Sequence, residues 1–456
     1  MTYKILDLFA GCGGLSLGFD LVRDTRGKKV FEVIRAVEID KDACATLRNY
    51  FRKEYGRDDI VIEGDLTSAD LRKRIVRECR GKVAVIVGGP PCQSFSMLGP
   101  RTGYGISDKR FEKYKRDRRD RLYKEYLRIV REVRPAFIVF ENVKGIISKR
   151  CPKGRRYIDI IAADFRRIGY SFASTDPLVE EQHLIVNAAD YGVPQIRERV
   201  FLIGNNLGIK NPFPKQTHSD RGKHPDILPW TTLRDAIGDL PKVLAKYTFT
   251  DLKKGEVAKY KRRNYQRYSG SEKVPHDKQA TAKHLQKLPV HGKELLKFLR
   301  SGADGTLLYH FARAQKRDDV LLFSGMKEGT VAEDLYRSRS SKARALRKLI
   351  KYRMKSEDGE FAFSDKYRKQ SWNRPSSTLF AHLAKDGNRF IHPDSRQART
   401  FTLREAARIQ TFPDWYEFTG SRGSRFRQIG NAVPPLLAKK IAEAIVPVLS
   451  TGGHND

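Results

Sequence analysis

Over the first two hundred residues, short apolar runs alternate with longer stretches whose apolar residues recur three and four apart. The runs are KILDLFA, VIRAVEID, VIEGDL, VAVIVGG and AFIVFENV. They are too short for buried helices and carry few charges inside, which predicts strands covered on both faces. Between them LSLGFDLV, KDACATLRNYF, ADLRKRIVRECR, RLYKEYLRIVREV and RRYIDIIAADFRRIG have helical spacing. Strands alternating with helices of this length predict an α/β fold with a mostly parallel sheet, whose ligands lie beyond the carboxyl ends of the strands.

Near Lys210 the pattern breaks. From Asn211 to Arg374 Lys, Arg, His, Tyr and Gly accumulate and sheet-like runs are few. KKGEVAKYKRRNYQRYSG interleaves basic residues with tyrosines, and VAEDLYRSRSSKARALRKLIKYRMK reads as one basic helix. Order returns from Phe401, and the last stretch, FRQIGNAVPPLLAKKIAEAIVPVL, is helical after a Pro-Pro pair that a first turn tolerates. The expected division is a catalytic and cofactor-binding domain over residues 1–210, a smaller recognition domain over 211–374, and a segment 375–456 that packs back on the first.

Composition narrows the class. No run of eighteen apolar residues occurs, so no membrane span is predicted, and MTYKILDLFAG lacks the features of a signal peptide. Five scattered cysteines, Cys12, Cys44, Cys79, Cys92 and Cys151, show no paired spacing, which argues against a disulfide scaffold or a structural metal site and fits a reducing cytoplasm. The formal charge is +35, from 89 basic against 54 acidic side chains. A field of that size favours a polyanionic partner, and the absence of an amphipathic anchor favours nucleic acid over a membrane surface.

Two stretches carry candidate chemistry. GGPPCQSFS, Gly88–Ser96, stops a buried strand abruptly and leaves Cys92 on a stiff loop at its carboxyl end. Alone it reads equally as a tight turn around a buried cysteine or as a presented nucleophile. DLFAGCGG places Gly11, Gly13 and Gly14 after the first strand, where a ligand approaches the backbone closely. Glu38 ends the second strand, within reach of ribose hydroxyls, and Asp65 ends the third, where it could accept from an adenine amine. The spacing is not G-x-G-x-x-G, and no phosphate-binding loop is present.

Taken together, DLFAGCGGLSLGF, GGPPCQSFS, FENVKG, QIRER, REAARIQTFPD and QIGNAVPP, in that order, resemble the DNA (cytosine-5) methyltransferases, particularly the bacterial type II restriction-modification enzymes. The resemblance covers residues 3–205 and 371–449, and the middle region matches only in position. It implies a Rossmann-like methyltransferase sheet, S-adenosyl-L-methionine as cofactor, double-stranded DNA as partner and a monomeric enzyme. Whether a restriction endonuclease accompanies it stays open. By resemblance the cofactor is held by Phe9, Gly11, Gly13, Gly14, Leu15, Glu38, Ile39, Asp65, Leu66, Pro91, Leu122, Asn431 and Val433. Phe9 would lie near the adenine, Leu122 on the methionine side, and Asn431 with Val433 would close the pocket.

The same resemblance implies the catalytic set Cys92, Glu141, Arg197 and Arg199. A thiolate adding at cytosine C6 makes C5 nucleophilic enough to take a sulfonium methyl, and cysteine ionises readily enough to serve. Glu141, if protonated, would offset charge at N3. Arg197 would donate to O2 and steady the nucleophile loop, and Arg199 would hold Glu141 or the loop by pairing. The target cytosine would swing out of the duplex. In the middle region His310 and Arg313 are candidates for DNA contacts, with a structural role as the alternative. An RNA methyltransferase on the same scaffold would carry a Cys-Phe-Thr insertion, which is missing, and a non-enzymatic relative would have lost Cys92 or Glu141.

Overall fold

A computed structural model describes residues 2–91, 122–151, 154–174, 184–220, 226–247, 273–275, 277–350, 361, 365–385 and 387–451. Seven strands form the main sheet: β1 (Tyr3–Leu8), β2 (Phe31–Glu38), β3 (Val61–Glu63), β4 (Val85–Gly88), β5 (Phe137–Val143), β6 (Leu184–Asn187) and β7 (Glu198–Asn205). Their order is β3-β2-β1-β4-β5-β7-β6. Pairing is parallel from β3 to β5, while β7 runs antiparallel to both of its neighbours. The α/β reading of the first half holds. The β6–β7 pair was not anticipated, because its first strand is short and its second opens with alternating charges.

Strand periodicity distributes the core. Ile5 packs on one face of the sheet and Leu6 and Leu8 on the other, all three fully buried. One face is covered by α1 (Gly14–Asp20), α2 (Lys41–Tyr55) and the C-terminal helices, the other by α3 (Ala69–Cys79), α4 (Leu122–Val133) and α5 (Tyr157–Arg167). On the second face Tyr126, Phe140 and Phe165 meet edge to face at 5.6–6.1 Å. Local signals set the helix ends: Asp40 accepts from the Ala43 N–H at 3.0 Å to start α2, and Gly56 ends it with φ 69°.

The middle region divides. Helices α6 (Leu233–Ile237), α7 (Lys278–Lys287) and α8 (Val290–Arg300) follow in sequence, and Leu233, Ile237, Leu295, Leu299 and Tyr309 join the same core as α1 and α2. By contrast α9 (Arg317–Gly325), α10 (Ala332–Arg337) and α11 (Ser341–Arg347) gather around a separate small cluster that includes Leu322, Phe323 and Tyr367. The single basic helix expected over 331–355 is thus corrected: α10 stops before Ser338, and the Ser340 hydroxyl accepts from the Ala343 N–H at 3.1 Å to begin α11. A serine in this position competes for the backbone and favours a cap over helix interior. The tyrosine-rich stretch 253–270 lies outside the described residues.

The C-terminal segment contributes α12 (Leu403–Ile409), α13 (Arg422–Asn431) and α14 (Pro435–Thr451). Helix α14 lies on α1 so closely that a Cβ on Gly18 would strike Ala438 and the Pro435 carbonyl. Among the described residues no helix is long and apolar enough to cross a membrane, and no group of three or more metal-ligating side chains gathers.

Candidate active site

The direction of strand order changes between β1 and β4, and a cleft of about 880 Å³ opens there. Its first wall is the loop after β1. Phe9 and Gly11 both take positive φ, 59° and 55°. A Cβ on Gly11 would meet nothing within 4 Å, so this glycine leaves its backbone open to the cleft. Gly13 and Gly14 serve the chain itself. A Cβ on Gly13 would press Leu47 at 2.7 Å, and one on Gly14 would run into the Val433 carbonyl. Glu38 braces the loop from the end of β2: one carboxylate oxygen accepts from the Gly11 N–H at 2.7 Å, the other from the Ile39 and Asp40 N–H groups at 2.8 Å. Beside it Ile39 stands 62% exposed in the cleft. Beneath the loop, fully buried Asp7 accepts from the Ser16 hydroxyl at 2.6 Å, and burial lifts its carboxyl to about 7.

The second wall is made by the ends of β4, β5 and β7. Gly88 is required because a Cβ there would strike the Leu8 carbonyl across the sheet. Gly89 lets Glu141 approach, since its Cβ would lie 2.7 Å from a Glu141 oxygen. The Asn142 amide donates to the Pro90 carbonyl at 3.2 Å and ties the end of β5 to the Pro90–Pro91 turn. Antiparallel register sets Val143 opposite Arg199 and Glu141 opposite Phe201, so Arg199 is the diagonal same-face neighbour of Glu141. The Arg199 Nε lies 3.1 Å from Glu141 Oε1, with each side chain 13% exposed. Burial raises the Glu141 carboxyl above its ordinary range, against the opposing pull of Arg199 and Arg197. Cys92 lies outside the described residues.

The third wall comes from the C-terminal segment. Arg197 is fully buried and does not line the cleft. Its guanidinium donates to the Leu379 carbonyl and to those of Gly430 and Ala432, the last two at 3.2 and 2.9 Å. One side chain thereby fastens two distant segments that both reach the cleft: Thr378 to His382, and the end of α13. Along α13, Ser424, Arg427, Gln428 and Asn431 face the cleft at the spacing of one helical face.

Of the cofactor residues expected, Phe9, Gly11, Gly14, Leu15, Glu38, Ile39, Pro91, Asn431 and Val433 line the cleft, and Gly13 sits just behind it. Asp65, Leu66 and Leu122 are not among these lining residues. Asp65 is exposed and accepts from the Thr67 N–H at 2.8 Å, Leu66 is buried in the core, and Leu122 is half-buried at the start of α4. His310 and Arg313 are corrected as DNA-contact candidates. His310 is 1% exposed between the Thr402 hydroxyl (3.0 Å) and the Pro241 carbonyl (2.8 Å), and burial pushes it down to about 4. Arg313 is buried with its two terminal nitrogens on the Lys385 and Leu383 carbonyls. Lining residues the sequence reading missed include Thr378, Phe380, His382, Ser424 and Arg427. The i, i+3, i+4, i+7 spacing ending at Asn431 was the signal available for the last two.

The side chains present suit a nucleoside-bearing cofactor: an open backbone at Gly11, a carboxylate at Glu38 fixed by the Gly11, Ile39 and Asp40 N–H groups, and an apolar plate in Ile39 and Phe9. The family description "C-5 cytosine-specific DNA methylase" matches residues 3–447. The chain is 32% identical to the type II methyltransferase M.AgeI of Thalassovita gelatinovora, over 98% of this chain and 100% of that protein. It is 31% identical to M.XorII of Xanthomonas oryzae pv. oryzae, over 98% and 86%. A crystal structure from E. coli, of a prophage-encoded protein assigned as a DNA modification methyltransferase, shares the fold with a TM-score of 0.58 at 24% identity, covering 98% of this chain and 100% of that one.

Proposed function

The chain belongs to the C-5 cytosine-specific DNA methylase family, a family of S-adenosylmethionine-dependent enzymes, and from that premise we propose how its own residues carry the methylation. Cys92, immediately after the Pro90–Pro91 turn, adds as thiolate to C6 of a cytosine swung out of the duplex. Glu141 holds a proton for N3, so the charge that addition pushes onto the ring is offset. The raised carboxyl supports this role, because burial favours the protonated form of the acid. Arg199, beside Glu141 in the cleft, is better placed than Arg197 to donate to O2, and Arg197 is the clamp behind both. Phe9, Gly11, Glu38, Ile39, Asn431 and Val433 would hold the cofactor, which would supply an electrophilic methyl to C5 and leave as S-adenosylhomocysteine. Loss of the C5 proton and expulsion of the thiolate then restore the ring.

The observation that carries the reading is the Glu141–Arg199 pair, 3.1 Å apart at the cleft end of β5 and one residue from the amide that grips the Pro90 carbonyl. A duplex with 5-fluorocytosine in place of cytosine tests it, because fluorine cannot leave as a proton does. The parent protein should form a covalent adduct and Cys92→Ser none. An equal adduct in the serine variant would remove Cys92 from the mechanism.

Sequence choice is assigned to the middle region, residues 211–374, supported by its basic content and its place between the family blocks. Exchanging 211–374 with the matching part of a type II relative should move methylation to that relative's sequence when methylated cytosines are mapped. An active hybrid that still marks the original site would place recognition elsewhere. The reading carries with it a monomer acting on double-stranded DNA in the cytoplasm, and it leaves open whether a restriction endonuclease is paired with it. The type II relatives support a place in restriction-modification.

A further inference from the structure

Arg313 belongs by sequence to the middle region yet touches the back of the cleft. Its two terminal nitrogens donate to the Leu383 carbonyl at 2.8 Å and the Lys385 carbonyl at 3.0 Å. Those carbonyls end the 3-10 turn Ala381–Ala384, whose first two residues line the cleft. The guanidinium carbon also lies 4.4 Å from the Phe426 ring centroid. Phe426 is buried in α13, the helix that presents Ser424, Arg427, Gln428 and Asn431 to the same cleft. Gly387, at φ 72°, clears the seat, since a Cβ there would come within 3.2 Å of the Arg313 Cζ. The turn and the helix already meet closely, because a Cβ on Gly430 would collide with the Phe380 carbonyl carbon.

We infer that Arg313 is a positioning residue for methyl transfer: from within the middle region it holds the Phe380–Lys385 wall against α13 and so sets the shape of the cleft where DNA must enter. The inference rests on the reading of this cleft as the cofactor and DNA site. The chemistry favours arginine specifically. Two carbonyls at the end of a turn need donors with fixed divergence, and the flat guanidinium supplies them while stacking on a ring. A lysine ammonium has the charge but neither the fork nor the plane.

The test is Arg313→Lys, with Phe426→Leu as a second variant that removes the stack and leaves the hydrogen bonds. The measurements are unfolding midpoint, dissociation constant for S-adenosylhomocysteine, and apparent KM and kcat on unmethylated genomic duplex. A positioning role at the DNA wall raises KM for DNA at least about tenfold in Arg313→Lys, with kcat and S-adenosylhomocysteine affinity within about threefold. Phe426→Leu shifts KM in the same direction by less. An unchanged KM in Arg313→Lys overturns the inference. So does a fall of midpoint, cofactor affinity and kcat together, which marks a purely structural residue. If Arg313→Lys fails to fold, Phe426→Leu decides by the same criterion, and an unchanged KM there overturns the inference. A parent protein that neither binds S-adenosylhomocysteine nor methylates duplex overturns the reading of the cleft itself, a result distinct from parent activity with an unmoved variant.

Discussion

Two glutamate–arginine pairs in this molecule have opposite fates. In the cleft, Glu141 meets Arg199 through one contact of 3.1 Å, with 13% of each side chain exposed. At the junction of the C-terminal segment with the middle region, Glu405 receives both prongs of Arg399, each at 2.7 Å, and neither side chain is more than 1% exposed. Glu405 also accepts from the Thr402 N–H at 2.8 Å, as the acidic half of the capping box that starts α12. Burial pushes both carboxyls up. For Glu141 that effect wins and the group holds its proton more tightly than usual. For Glu405, Arg399 and nearby His392 outweigh it and hold the carboxyl well below the usual carboxylate range. Residue type and burial therefore do not separate a reactive carboxylate from a structural one. The number and geometry of charged donors do.

Around Glu405 the same economy repeats. Arg408 forks onto Asp414 at 2.6 and 2.7 Å and also bonds Asp239 of the middle region, while Arg404 donates to the Leu308, Pro413 and Tyr416 carbonyls. Every guanidinium there is satisfied within the fold and is unavailable to DNA.

The comparison breaks most visibly on catalysis. Glu141→Gln should slow single-turnover methylation by about 10²–10⁴ while the unfolding midpoint stays close to the parent's. In the parent the rate should fall as pH rises through the raised pKa of Glu141, because the protonated form is the working one, and the glutamine variant should lack that limb. A pH–rate profile with the same limb in both proteins would assign the proton elsewhere.

Glu405→Gln should act on stability. It leaves the Arg399 charge buried against a neutral amide and should cost about 3–5 kcal/mol in denaturant unfolding at neutral pH. The sign with pH follows from a depressed folded-state pKa. The stabilisation is fully present above the unfolded value of about 4.3 and is lost only as pH falls through the lower folded value, in strongly acidic solution. A variant as stable as the parent would make this pair as dispensable as one on the surface.

The smallest effect is expected from Lys144 and Glu198, a cleft-rim pair at 2.9 Å with 49% and 47% of the side chains exposed. Solvent screens it, so Lys144→Gln should change stability by less than about 1 kcal/mol. A loss approaching that of Glu405→Gln would mean that exposure does not rank these pairs.

Much of the site was legible before any fold. The glycines of DLFAGCGG, Glu38 at a strand end and the FENV run sit where a parallel sheet puts its ligands, because strand ends and turn residues are local signals. Arg197 and Arg313 were misplaced for one reason. A basic residue reads as a solvent or ligand contact unless its acceptors are known, and theirs are carbonyls some 70 to 235 residues away. The same holds for His310, whose Thr402 partner lies 92 residues on.

Sequence by itself determined the alternating sheet, the family, the glycine loop and the order of the candidate reactive residues, since these depend on periodicity and on short motifs with their own turn chemistry. Tertiary structure alone decided which of two arginines faces the cleft, which glutamate holds its proton more tightly, and which glycines open the backbone rather than seat a neighbour. Each of those outcomes is set by partners far along the chain, and a carboxyl or guanidinium has no definite charge environment until the fold supplies it.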